Sequence, residues 1–69
     1  MIRETVSSSE LRSIGYENTM TLELEFQNGG VYDYFEVPEA IYAELMSASS
    51  KGRYFNQNIR NVYRCMRVC

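Results

Sequence analysis

Residues Met20 to Phe26 constrain the chain most: Met20, Leu22, Leu24 and Phe26 alternate with Thr21, Glu23 and Glu25. Side chains alternate across a strand, so this run has one face for a core and one for water. Asn28-Gly29-Gly30 follows at once, and such a cluster turns a hairpin. Val31 to Val37, rich in β-branched and aromatic residues, reads as the returning strand. Upstream, Leu11 to Tyr16 reads as a shorter strand interrupted by Gly15, with Glu17-Asn18-Thr19 as the turn. Ser7-Ser8-Ser9 supplies hydroxyls for local bonds to the backbone before the first ordered element.

Two hairpin registers are open. A two-residue loop, Asn28-Gly29, sets Phe26 opposite Val31 and leaves Tyr32 and Tyr34 on the wet face with Glu23 and Glu25. A three-residue loop, Gln27-Asn28-Gly29 with Gly29 left-handed, sets Leu24 opposite Tyr32 and Leu22 opposite Tyr34. Both tyrosines then join the core face. A one-residue slip inverts every side chain. The second register is favoured because it keeps Asp33 in water, although it turns Val31 and Phe35 outward and sets Glu23 against Asp33.

Pro38 suits the first turn of a helix, and Glu39 complements its positive end. Ile41, Leu45 and Ala48 fall on one stripe, with Tyr42 and Met46 beside them. Ser49-Ser50 offers caps for a second short helix over Lys51 to Arg60, where Phe55 and Ile59 face inward together. The tail from Val62 to Val68 alternates. It reads as a last edge strand or as a segment draped over the sheet.

The expected fold is therefore α+β: a three-stranded antiparallel meander, two short helices and a C-terminal edge strand if the tail pairs. With 69 residues the chain has room for a single domain, residues 1–69, and one modest core. No apolar run reaches signal-peptide or membrane-spanning length, so a cytoplasmic protein is expected. Cys65 and Cys69 without any His cannot complete a four-ligand zinc site, and they are expected to be reduced thiols. The absence of His also removes the Ser-His and Cys-His nucleophile systems, so no enzyme, cofactor or metal is expected.

Charge becomes informative once the chain is divided. All nine acidic residues lie in residues 1–44, beside only Arg3 and Arg12. Residues 45–69 carry Lys51, Arg53, Arg60, Arg64 and Arg67 and no acid. Either the two halves neutralise each other in the fold, or one end presents a positive surface.

A larger pattern runs through Ser13-Ile14-Gly15-Tyr16, the alternating strand to Phe26, Gly30-Val31-Tyr32-Asp33-Tyr34, Val37-Pro38, Ser49-Ser50-Lys51-Gly52-Arg53-Tyr54-Phe55-Asn56 and Ile59-Arg60. Over residues 7 to 63 it resembles the KTSC domain, a module named for its occurrence at the C-terminus of some lysyl-tRNA synthetases and also found alone in bacterial proteins. Its central Tyr-x-Tyr motif is matched by Tyr32 and Tyr34. Relatives often carry Pro near the final Tyr, whereas this chain reads Asn61-Val62-Tyr63-Arg64-Cys65-Met66. The synthetase context implies RNA binding by association only.

Three groups are candidate sites. Ser49, Ser50, Lys51 and Arg53 at a helix N-terminus suit a phosphate, with Gly52 admitting an anion to the backbone. The alternative is a capped turn with solvated cations. Tyrosines can stack unpaired bases, and Tyr54 and Tyr63 neighbour arginines. Tyr32, Tyr34, Gly52 and Phe55 read as structural members of the family motif. Glu23, Glu25, Asp33 and Glu36 read as the solvated side of a half-buried sheet. The expected function is a small binding module for single-stranded RNA or another polyanion, using Ser49, Ser50, Lys51, Arg53, Tyr54, Arg60, Tyr63 and Arg64. The alternative is a protein-interaction module, such as a bacterial or phage adaptor, contacting its partner by an edge strand or a Val31 and Phe35 patch.

Overall fold

The computed structural model describes residues 1–69. A five-stranded antiparallel sheet carries β1 (Glu4–Thr5), β2 (Leu11–Glu17), β3 (Thr21–Phe26), β4 (Val31–Tyr34) and β5 (Cys65–Arg67), in that spatial order. Helices α1 (Glu39–Ser47) and α2 (Lys51–Asn58) lie between β4 and β5 in sequence. The α+β class holds, and the tail does pair as an edge strand, antiparallel to β4.

The β3–β4 register is that of the three-residue loop, with Leu22 opposite Tyr34, Leu24 opposite Tyr32 and Glu23 opposite Asp33. Gly29 takes φ 95°, and the Phe26 amide donates to the Gly30 carbonyl at 2.9 Å. Only glycine adopts that backbone readily. Leu11, Ile14, Leu22, Leu24, Tyr34, Val37, Leu45, Phe55 and Ile59 form the core between the sheet and the helices.

Four expectations need correction. Strand β3 begins at Thr21: Met20 belongs to the turn, at φ 65°, and is 41% exposed. Strand β4 ends at Tyr34 because Glu36 takes φ 57°, which turns the chain out of the sheet. Gly15 does not interrupt β2. A Cβ there would lie 2.8 Å from the Ile2 carbonyl oxygen, so glycine lets the N-terminal segment cross the sheet at close range. Val31 does point away from the core, yet it is only 4% exposed. Its carbonyl accepts from the Val68 amide at 2.8 Å and its amide donates to the Cys69 carbonyl at 3.3 Å, so the tail covers it. Phe35 lies half-buried under the Arg64 guanidinium, 5.3 Å from the ring centre. No open Val31 and Phe35 patch exists for a partner.

Candidate nucleic-acid interface

The serine segments act as capping chemistry requires. Ser8 Oγ accepts from the Glu10 and Leu11 amides, both at 3.2 Å, and so opens β2. Ser50 Oγ accepts from the Arg53 amide at 3.4 Å and caps α2, whereas Pro38 precedes α1 without a side-chain cap. Helix α2 therefore carries Lys51, Arg53, Tyr54 and Phe55 in fixed directions. Phe55 is buried, and Arg53 faces solvent.

The cations of the C-terminal third form no ion pair with any Asp or Glu. Lys51 Nζ donates to the Ala48 carbonyl at 3.0 Å, and Arg60 donates to Asn56 Oδ1 at 3.4 Å. Arg67 donates to the Cys69 carbonyl at 2.9 Å, and its guanidinium lies 5.8 Å over the Tyr32 ring. The guanidinium of Arg53 makes no hydrogen bond, and that of Arg64 meets only the Phe35 ring. All the ion pairs of the molecule run instead from Arg3 and Arg12 to Glu23 and Glu25.

These residues do not gather at one point. Ser49, Ser50, Lys51 and Gly52 face Ser7, Ser8 and Ser9 across a polar recess of about 370 Å³. Arg53 and Tyr54 line a second recess of about 250 Å³, which shares Ser49 and Ser50 with the first. Arg60 lines a third of about 240 Å³ beside Tyr32 and Tyr34. Lys51 and Arg53 thus flank one helix end, and Arg60 lies beyond the other. Gly52 does admit an anion, but an internal one: a Cβ there would lie 2.6 Å from Glu10 Oε1. The carboxylate of Glu10 occupies the approach that sequence reasoning left for a phosphate.

The tyrosines divide similarly. Tyr54 is half-buried and its hydroxyl donates to Glu44 Oε1 at 2.6 Å. Burial, that hydrogen bond and the Glu44 charge push its pKa up to about 12. Tyr54 is thus engaged with α1 instead of standing open as a stacking platform. Tyr63 packs half-buried against the core. Tyr16 stacks on Tyr42 with centroids 4.8 Å apart and donates to the Val37 carbonyl at 2.6 Å. Tyr32 and Tyr34 sit on the helix side of β4, as the register dictates. Burial first, then the neighbouring Cys65 thiol, pushes Tyr34 up to about 12.

The acidic face is more than a solvated row. Arg3 crosses it, donating to Glu23 Oε2 at 2.5 Å and to Ser13 Oγ at 2.9 Å. Asp33 Oδ1 is buried without a hydrogen-bond partner. Burial, then the hydrogen bond to Glu23 and its charge, raises the Asp33 pKa to about 6. Burial also acts to raise Glu23, but the bond from Asp33 and the Arg3 guanidinium outweigh it and hold Glu23 below its usual range. The two carboxyls stand at opposed cross-strand positions, and like charges so placed drive their pKa values apart. No group of three or more ligating side chains is placed to hold a metal ion. No helix is long and apolar enough to cross a membrane.

Sequence reasoning missed Glu10 and Arg67. Glu10 carries no periodic signal, and Arg67 becomes informative only once β5 is paired to β4, which sets it opposite Tyr32.

An antiparallel sheet with two helices on one face defines a small α+β domain. The chain belongs to the KTSC domain family, whose profile matches residues 7–63. It is similar to a KTSC domain protein of Yersinia pestis, whose crystal structure superposes with a TM-score of 0.96 at 40% identity, covering 99% of this chain and 97% of that one. A protein of Stutzerimonas stutzeri is 45% identical over 58 residues, 83% of this chain and 82% of the other. A lysine–tRNA ligase of Nostoc punctiforme is 40% identical over 57 residues, 81% of this chain but only 10% of the ligase. The chain thus spans about a tenth of that relative's length.

Proposed function

We propose that this domain is a non-catalytic module that binds single-stranded RNA or a similar polyanion through α2 and the segment that follows it. The observation that carries this reading is the unpaired state of Lys51, Arg53, Arg60 and Arg64. Each lies beyond ion-pair distance of any Asp or Glu, while Arg3 and Arg12 are spent on Glu23 and Glu25. Cations left free in a chain that is net negative are available to phosphates. Ser49 and Ser50 sit between the Lys51 and Arg53 recesses and add hydroxyl donors. The likeness to a lysine–tRNA ligase adds an RNA-handling relative. The chain has no His to serve as base or nucleophile partner, which supports binding without catalysis.

The test is an NMR titration of the labelled chain with short single-stranded RNA at ~50 mM salt, repeated at rising salt. Each phosphate neutralised should contribute about −0.7 to the slope of log affinity against log salt. Arg53→Ala and Arg60→Ala should each weaken binding and flatten that slope. Absence of binding at low salt, or unchanged affinity in both variants, would refute the reading.

A further inference from the structure

Beside Tyr32 and Tyr34, the Arg60 cation, fixed aromatic rings and the Glu10 carboxylate, which forms no ion pair, meet in one recess of about 240 Å³. Pockets for drug-sized ligands enclose roughly 300–1,000 Å³, so this smaller recess suits a single planar fragment. Its aromatic lining is rigid. Phe26 meets Tyr32 at 84° and Phe55 at 70°, and Tyr34 meets Phe55 at 78°. Such edge-to-face contacts lock the rings against one another, so a planar ligand meets a prepared surface.

The rim supplies selective chemistry. Arg60 lines the recess, and Arg67 lies over the Tyr32 ring. Glu10 is also in the lining, and its carboxylate, which packs against Gly52, forms no ion pair and accepts no hydrogen bond. Asn28 Oδ1 is taken by the Gly30 amide at 2.9 Å, which leaves the Asn28 amide nitrogen free to donate. The lining therefore offers one guanidinium group, one acceptor-only carboxylate and one amide donor, with the Arg67 guanidinium nearby over the Tyr32 ring. Among RNA bases, only guanine presents two adjacent donors, N1–H and N2–H, next to an acceptor, O6. A carboxylate matches the donor pair, and an amide matches O6. Adenine and cytosine each set an acceptor beside their amino group, and uracil flanks its single N–H with two carbonyls.

We propose that this recess seats one guanosine of an RNA strand. Its base lies on the Tyr32 side of the aromatic floor, Glu10 accepts from N1–H and N2–H, and Arg60 and Arg67 hold the flanking phosphates. The proposal rests on the RNA-binding reading and assigns that reading a base preference and a position.

The test compares a short uridine oligomer, the same oligomer with one central guanosine, and one with inosine there, which lacks the N2 amine. Against the full chain at ~50 mM salt, guanosine should tighten binding about tenfold, with inosine between the two. Amide shifts should concentrate at Tyr32, Tyr34 and Arg60. Glu10→Gln should remove the guanosine gain and leave the uridine oligomer unaffected. The inosine comparison uses the unaltered chain and so does not depend on the variant's folding. Equal binding of all three oligomers, or a guanosine preference that survives Glu10→Gln, overturns the guanosine seat while RNA binding itself stands. Failure of every oligomer to bind overturns both.

Discussion

Asp33 is the residue whose environment departs furthest from what its chemistry prefers. One of its oxygens is buried and unpartnered, and Glu23 stands opposite it on β3. Its pKa is raised to about 6, so the folded state binds a proton that the unfolded chain releases near pH 4. Stability from this group is therefore present at low pH and is lost as pH rises through about 6. Glu23 has the opposite sign: its lowered pKa contributes stability above the ordinary carboxylate range, which is lost as pH falls below it. Asp33→Asn keeps a donor for Glu23 and removes the charge. It should raise stability at pH 7 by about 1 kcal/mol, allowing for solvent screening. It should also abolish the decline between pH 4 and 6. Denaturant melts of both forms across that range check this, and an unchanged pH profile would show that the pair is not coupled in solution.

At the level of elements, β1 and the segment before it show how much the sequence conceals. The hairpin is legible from the alternation of β3 and from Asn28, Gly29 and Gly30, but that pattern leaves two registers open. The reason offered for the favoured one, that Asp33 should stay in water, describes the site incompletely. That face is crossed by Arg3 on a segment whose strand is two residues long, too short for any period to register. Helices α1 and α2 are legible from Pro38, Ser50 and the inward positions of Leu45, Phe55 and Ile59. Their ends differ from expectation by a few residues, as fraying ends do. Gly15 ties β1 to β2. Gly15→Ala would set a Cβ against backbone, where no side-chain rotation relieves it. The substitution should release β1 and destabilise the domain by about 1–3 kcal/mol. The Val6 amide, bonded to the Arg12 carbonyl at 3.1 Å, should then exchange much faster, with a smaller acceleration at core amides on β3. Unchanged exchange at Val6 would mean the segment is anchored elsewhere.

Over the whole molecule, the uneven charge along the chain becomes a physical separation. Two arginines pair with the carboxylates of the acidic sheet face, and the later cations form no ion pair with any Asp or Glu. That much follows from counting charges in the two parts of the chain. Their distribution does not, because charge counting cannot show that Lys51 and Arg53 flank one end of α2 while Arg60 joins the tyrosines at the other. Nor could Glu10, some forty residues away in sequence, be foreseen at Gly52. Such contacts arise only when the loop before β2 and the start of α2 meet in space.

The covering of Val31 by residues 65–69 has a consequence for solubility. The run Val31 to Phe35 is aromatic and β-branched, and one side of its backbone is occupied only by the short β5. Stripped of that neighbour, it becomes a template on which another copy can add a strand, and repetition of that step polymerises the protein. A chain shortened after Arg64 should accordingly form thioflavin-binding fibres under agitation that leaves the full chain monomeric. If the shortened form stayed monomeric, the tail would have no guarding role.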